Sequence, residues 1–252
     1  MINGVQINYR DEGQGEPLIM IGGFDSLVST WWLQRRVFKK HYRVITFENR
    51  GSGKSEKPHV SYTIEIMAKD CLGLMDLLSI QRAYVLGVSM GGLIAQNITI
   101  NHTERVLKLV LGTCYCTVDD DNGPTLEMLR LTGLPAKEML NPMAHLMLNN
   151  KLLRYASMPV VRWKNRMADA YSIESKLEAC RNWSSVEKLR AMNVPTLVIT
   201  GSQDRLIKPG SSAVIASLIP GSKLVIIEGG SHMLFLEKSG HFNNAVLKFL
   251  KN

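Results

Sequence analysis

Residues Ala83 to Gly92 read AYVLGVSMGG, and the rest of the chain is interpreted outward from them. Tyr84 to Val88 is an apolar run of the kind that forms a buried strand. It ends in Gly-x-Ser-x-Gly at Gly87, Val88, Ser89, Met90 and Gly91, and Leu93 to Ile100 continues as a helix-compatible run. Strand, tight turn and helix in that order are the setting in which this motif denotes a nucleophile elbow. A side chain at Gly87 or Gly91 would crowd the neighbouring strand and helix, while the serine takes a strained turn that lifts its hydroxyl above the sheet. The turn also puts the Met90 N–H at a helix N-terminus, where a developing oxyanion is stabilised. An ordinary βα turn that contains serine would fit the same five residues, so the remainder of the chain has to decide.

The elements around this turn alternate. Val5 to Arg10, with the turn at Gly13–Gly15, reads as an N-terminal antiparallel strand or hairpin. Leu18 to Ile21 and Tyr42 to Phe47 read as strands, and Tyr62 to Leu78 as a helix. After the elbow come a strand at Val106 to Leu111, strands at Thr196 to Thr200 and Leu224 to Ile227 with a helix near Ser211 to Leu218 between them, and a helix near His241 to Leu250. Alternating strands and helices predict an α/β fold with a mostly parallel sheet covered on both faces.

The alternation stops between Thr117 and Ala191. Here strand patterns are absent, and Pro124, Pro135, Pro142 and Pro159 are expected to cut the segment into short helical pieces. At roughly 75 residues it is too long for a loop, which predicts a helical lid (117–191) inserted into a core made of 1–116 and 192–252. Met128, Met139, Met143, Met147, Met158 and Met167 form a stripe read mainly as lid packing, though methionine also suits a pliable acyl-binding wall.

Composition excludes several classes. The chain has 252 residues, too few for two independent large domains, with 45% hydrophobic and 21% charged residues, as in ordinary globular proteins. The first residues, MINGVQINYRDEGQG, lack a basic segment followed by an apolar one, so no secretory signal is expected and the protein is read as cytoplasmic. No apolar run approaches the ~20 residues of a membrane span. Cys71, Cys114, Cys116 and Cys180 are read as reduced thiols, and the Cys114-x-Cys116 spacing suits neither a redox pair nor a zinc ribbon. A net charge of +8 invites a nucleic-acid reading, but apart from Arg35-Arg36 and Lys39-Lys40 the basic residues are dispersed, so no nucleic-acid partner is expected. Gly51 to Ser55, GSGKS, mimics the end of a phosphate-binding loop, yet the position that needs glycine holds Glu48, and nucleotide binding is rejected.

A serine hydroxyl needs a base oriented by a carboxylate, and this architecture orders them Ser, then acid, then His. Two histidines follow the lid. His232 lies in EGGSHM just past the last strand, whereas His241 falls inside the final helix. Asp204, in TGSQDRLIKP, follows the strand Thr196 to Thr200. Strand ends along one edge of a parallel sheet converge, so Ser89, Asp204 and His232 can meet. Asp119, Asp120 and Asp121, after the preceding strand, are the competing acids; a solvated hinge into the lid is the alternative for them.

With these residues in view the chain resembles the α/β-hydrolase family over nearly its whole length. The resemblance rests on GVSMGG at Gly87–Gly92, the strand-loop acid Asp204, GGSHMLFLE around His232, and RGSGKS at Arg50–Ser55, which is similar to the family's Arg-Gly-x-Gly-x-Ser turn. It implies an eight-stranded sheet and an oxyanion hole made by the N–H groups of Phe24 and Met90. The chain departs from the family at Gly22-Gly23, usually His-Gly, and at Glu48, usually Asp. Ser89 sets it apart from dehalogenase and epoxide-hydrolase members, which carry a carboxylate in the elbow. The text from Phe47 through Thr113 is similar to 3-oxoadipate enol-lactonases and small carboxylesterases.

The resemblance therefore implies Ser-His-Asp hydrolysis of a small-molecule carboxylic ester or lactone, with neither metal nor organic cofactor. C–C bond hydrolysis, cofactor-free perhydrolysis and slow-turnover small-molecule reception use the same triad and stay open. Arg154, Arg162, Lys164 and Arg166 are candidates to hold a substrate carboxylate. Tyr155, Trp163 and Tyr171 are candidates for lid core or pocket wall.

Overall fold

The computed structural model describes residues 1–118, 123–131, 133, 134, 136–157, 159 and 169–252. Its centre is a seven-stranded sheet of order β1-β3-β2-β4-β5-β6-β7. The strands are β1 (Tyr9–Glu12), β2 (Pro17–Ile21), β3 (Arg43–Phe47), β4 (Ala83–Val88), β5 (Val106–Gly112), β6 (Thr196–Gly201) and β7 (Lys223–Ile227). Only β1 runs antiparallel, against β3. The first strand thus lies later than the Val5 to Arg10 alternation suggested, because its register pairs Tyr9 with Phe47 and Glu12 with Val44. The eighth strand is not found among the described residues. At the N-terminal edge Ile2 and Val5 form one isolated bridge across Asn3 and Gly4, and a single bridge is not a ladder.

The central strands read as continuous apolar runs because both faces are covered. In β2, Ile19 and Ile21 join one core cluster while Leu18 and Met20 join the other. One face is packed by α2 (Ile64–Leu77) and α3 (Met90–Asn101), whose residues Ile64, Met67, Leu74, Leu93 and Ile98 are all but fully buried. The Thr63 hydroxyl starts α2 by accepting from the Ile66 N–H at 3.1 Å. The other face carries α1 (Trp32–Phe38) and, at the chain end, α10 (Ser239–Lys251) through Phe242, Val246 and Leu250. His241 is on α10 and exposed.

Between β5 and β6 lie α4 (Leu126–Leu131), α5 (Ala136–Met147), a helical stretch at 151–157, α6 (Ala170–Arg181) and α7 (Val186–Leu189). Pro142 does not divide helices as expected; it lies inside α5. The packing of Met139 and Met143, both buried in the core, outweighs the hydrogen bond that proline removes. Met128 and Met147 pack half-buried against the same cluster, while Pro135, Met158 and Met167 lie outside the described residues. After β6 come α8 (Pro209–Leu218), β7, α9 (Leu234–Glu237) and α10.

The RGSGKS turn is locked to α2 by a buried ion pair. Arg50 Nε donates to Asp70 Oδ2 at 2.6 Å and Nη2 to Oδ1 at 2.7 Å, with both side chains almost fully enclosed. Asp70→Ala leaves the Arg50 charge buried and unpaired, so the expected loss is about 3–5 kcal/mol. Urea unfolding checks this, and a shift below about 1 kcal/mol would contradict it. The four cysteines are buried thiols, and burial pushes those of Cys114 and Cys180 up to about 12 and that of Cys71 further. No described helix is long and apolar enough to cross a membrane.

Candidate active site

The elbow has the strain its sequence implied. Ser89 stands between β4 and α3 with φ 56° and ψ −126°, a backbone region costly to any residue with a side chain. Its neighbours have no room for a β-carbon. At Gly87 one would lie 2.2 Å from the Gly91 oxygen, and at Gly91 one would lie 2.2 Å from the Ile21 oxygen. The turn is held by the Ser89 N–H donating to Gly112 O at 2.9 Å and the Gly92 N–H donating to Ser89 O at 2.8 Å. Ser89 is part-exposed while Val88 and Met90 on either side are buried. Met90 is the first residue of α3, so its N–H belongs to the helix start, where amides lack intrahelical acceptors.

Two loops at the carboxyl ends of β6 and β7 carry the acid and the imidazole. They touch because Gly201 and Gly230 leave room: a β-carbon on Gly201 would fall 2.2 Å from the Gly230 oxygen. The Gln203 N–H donates to Gly230 O at 2.9 Å and the Ser202 N–H to Ile227 O at 3.1 Å, clamping loop to loop. Asp204 then uses both oxygens. Oδ1 accepts from the Leu206 and Ile207 N–H groups at 2.9 and 3.0 Å, and Oδ2 lies 2.8 Å from His232 Nδ1. Both residues are buried, at 6% and 2% exposure. An ionised carboxylate only accepts, so Nδ1 carries the proton, and Nε2 is left as the acceptor.

The loop after β2 lies directly against the serine. A β-carbon on Gly23 would meet Ser89 Cβ at 2.9 Å, which explains why this approach tolerates no larger residue. Phe24 follows, then Asp25 with φ 52°. Asn49 Nδ2 donates to Gly22 O at 3.2 Å. Glu48 is buried and accepts from the Val28 N–H at 3.1 Å and the Lys54 N–H at 2.6 Å. The carboxylate that argued against phosphate is thus a brace between the β2 loop and the RGSGKS turn.

The model of the alpha/beta hydrolase fold matches residues 16–139 and 142–239, most of the chain. The chain belongs to the alpha/beta hydrolase fold family. It is 26% identical over 254 residues to 3-oxoadipate enol-lactonase 2 of Acinetobacter baylyi, covering 98% of this chain and 94% of that protein. It is 29% identical over 263 residues to the 2-hydroxymuconate semialdehyde hydrolase of a Pseudomonas species, covering 98% and 91%. Among solved structures, the enol-lactonase of Burkholderia xenovorans superposes with a TM-score of 0.88 at 25% identity, covering 100% of this chain and 98% of that one.

Within this α/β hydrolase, Asp204 and His232 are in contact, and the Gly23 backbone abuts Ser89. The Ser89 hydroxyl makes no hydrogen bond to another described residue. Asp119, Asp120 and Asp121 lie outside the described residues, as do Arg162, Trp163, Lys164 and Arg166. Arg154 borders an open cleft of about 540 Å³ together with Asn149, Lys151, Gln203, Asp204 and Arg205. Tyr155 is 79% exposed and so is neither lid core nor an enclosed pocket wall. Tyr171 instead stacks on His59 with ring centroids 4.7 Å apart. Lys176 escaped the sequence reading altogether. It is a lysine among many in a helical segment, and no motif marks it, yet its side chain is fully enclosed beside the Phe24 loop.

Proposed function

We propose that this α/β hydrolase cleaves a carboxylic ester or lactone through an acyl-enzyme formed on Ser89. The observation that carries the reading is the buried His232–Asp204 pair at 2.8 Å, at the same carboxyl edge of the sheet as a serine on a strained elbow. His232 Nε2 takes the Ser89 proton as the hydroxyl oxygen attacks the carbonyl carbon. Asp204 holds the ring through Nδ1 and stabilises the imidazolium that forms. The N–H groups of Phe24 and Met90 receive the oxyanion of the tetrahedral intermediate. His232 then protonates the leaving alcohol, and a water deprotonated by the same imidazole releases the acid.

In this reading 1–116 and 192–252 form the catalytic core and 117–191 the cap that shapes the acyl or alcohol pocket. The enol-lactonase relatives at 25–26% identity support the substrate class. A panel of p-nitrophenyl esters of rising chain length, with lactones beside them, is the test. Turnover above about one per second on some member is expected. A single slow turnover with a large rise in Tm on ligand addition would instead identify a receptor.

A further inference from the structure

Lys176 lies on α6, in the segment between β5 and β6, and its side chain is 0% exposed. A buried ammonium is costly unless its donors are used. Here Nζ donates to Gly51 O at 2.8 Å, to Ser52 Oγ at 3.0 Å and to Asp25 Oδ1 at 3.4 Å. It also sits 5.0 Å from the centre of the Phe24 ring. One cation therefore touches three separate pieces of chain: its own helix, the RGSGKS turn and the loop after β2.

Two of those pieces are themselves anchored. The turn is tied to α2 by Arg50–Asp70, and the helix starts on Asp169, whose carboxylate accepts from the Ser172 N–H at 2.7 Å. Ser172, on that helix, has its hydroxyl 3.1 Å from the hydroxyl of Tyr62, which lies just before α2. The loop after β2 is the strained piece, because Asp25 is held at φ 52°, a region that costs a non-glycine residue energy unless its surroundings impose it. The ammonium grips this loop by the Asp25 carboxylate and the Phe24 ring, on either side of the Phe24–Asp25 peptide bond.

We infer that Lys176 is a positioning residue for the oxyanion hole: from α6 it holds Phe24 and Asp25 so that the Phe24 N–H faces the reaction centre. The inference rests on the proposed hydrolase reading for its kinetic consequence but not for its structural one. A donor whose direction is set in advance is worth more in the transition state than in the ground state. Loosening it therefore lowers kcat and leaves KM nearly unchanged.

The experiment compares wild type, Lys176→Met, Asp25→Asn and the double variant. Expected are kcat values lower by about 10- to 100-fold with KM within about 3-fold, and an equal weakening of a phenylboronic acid that forms a tetrahedral adduct on the serine. The double variant should fall close to the poorer single one, since both weaken the same Nζ–Oδ1 contact. Amide hydrogen exchange over Gly22–Ser26 should quicken in both single variants whether or not any ester is turned over. Unchanged exchange, an unchanged kcat, or fully additive losses would overturn the inference. If Lys176→Met does not fold, Asp25→Asn decides by the same criteria. A wild type that hydrolyses no ester defeats the hydrolase reading instead, and the exchange measurement still decides the positioning claim.

Discussion

Ser89→Ala is expected to lower ester hydrolysis by at least ~10³-fold, because in the proposed mechanism it removes the atom that becomes covalently bound to the substrate. The fold should barely notice. The hydroxyl has no hydrogen bond to another described residue, and alanine keeps the β-carbon already accommodated at φ 56°. Stability should therefore stay within about 1 kcal/mol of wild type. A fluorophosphonate should label Ser89 and no other serine. An active Ser89→Ala variant, or label recovered on a different serine, would remove the elbow from the mechanism.

Asp204→Asn should reduce activity by about 10⁴-fold, for a reason visible in its hydrogen bonds. The Leu206 and Ile207 amides donate to Oδ1, so in the variant the side-chain oxygen remains with them and the new NH₂ group turns toward His232 Nδ1. An NH₂ group there makes Nδ1 an acceptor and moves the proton to Nε2. The ring then cannot take the Ser89 proton, and the lost carboxylate no longer stabilises the imidazolium. Replacing Asp119, Asp120 and Asp121 together by Asn should leave rates within a few-fold. A dead triple variant beside an active Asp204→Asn would place the acid after β5 and not after β6.

The candidate site positions were legible because they rest on local rules. Gly87 and Gly91 mark a backbone approach that no β-carbon survives, and the 2.2 Å distances at both sites are that rule in coordinates. The apolar runs of β2, β4, β5 and β6 announced strands buried on both faces, and parallel strands bring their carboxyl ends to one edge. That topology, with the Ser, acid, His order, made Asp204 a candidate partner for His232 beside the competing Asp119, Asp120 and Asp121. Asp204 and His232 are in contact across 28 positions of sequence.

What stayed hidden depends on contacts between segments distant in sequence, which leave no period or spacing. Pro142 reads as a break, yet the burial of Met139 and Met143 carries α5 through it. The eighth strand of the expected sheet is not found among the described residues, where seven strands pair, a matter of pairing partners and not of propensity. Nothing in the sequence marks Glu48, Asp70 or Lys176 as buried, since a charged residue declares burial only through its partner. Those partners are 20, 20 and 125 positions away for Glu48 to Val28, Asp70 to Arg50 and Lys176 to Gly51. The sequence by itself therefore determined the layered fold, the elbow and the order of its catalytic candidates, because steric limits and hydrophobic periodicity act locally. Only the tertiary structure decided which charges are enclosed and what they brace, because desolvation and ion pairing are properties of a place in the folded chain.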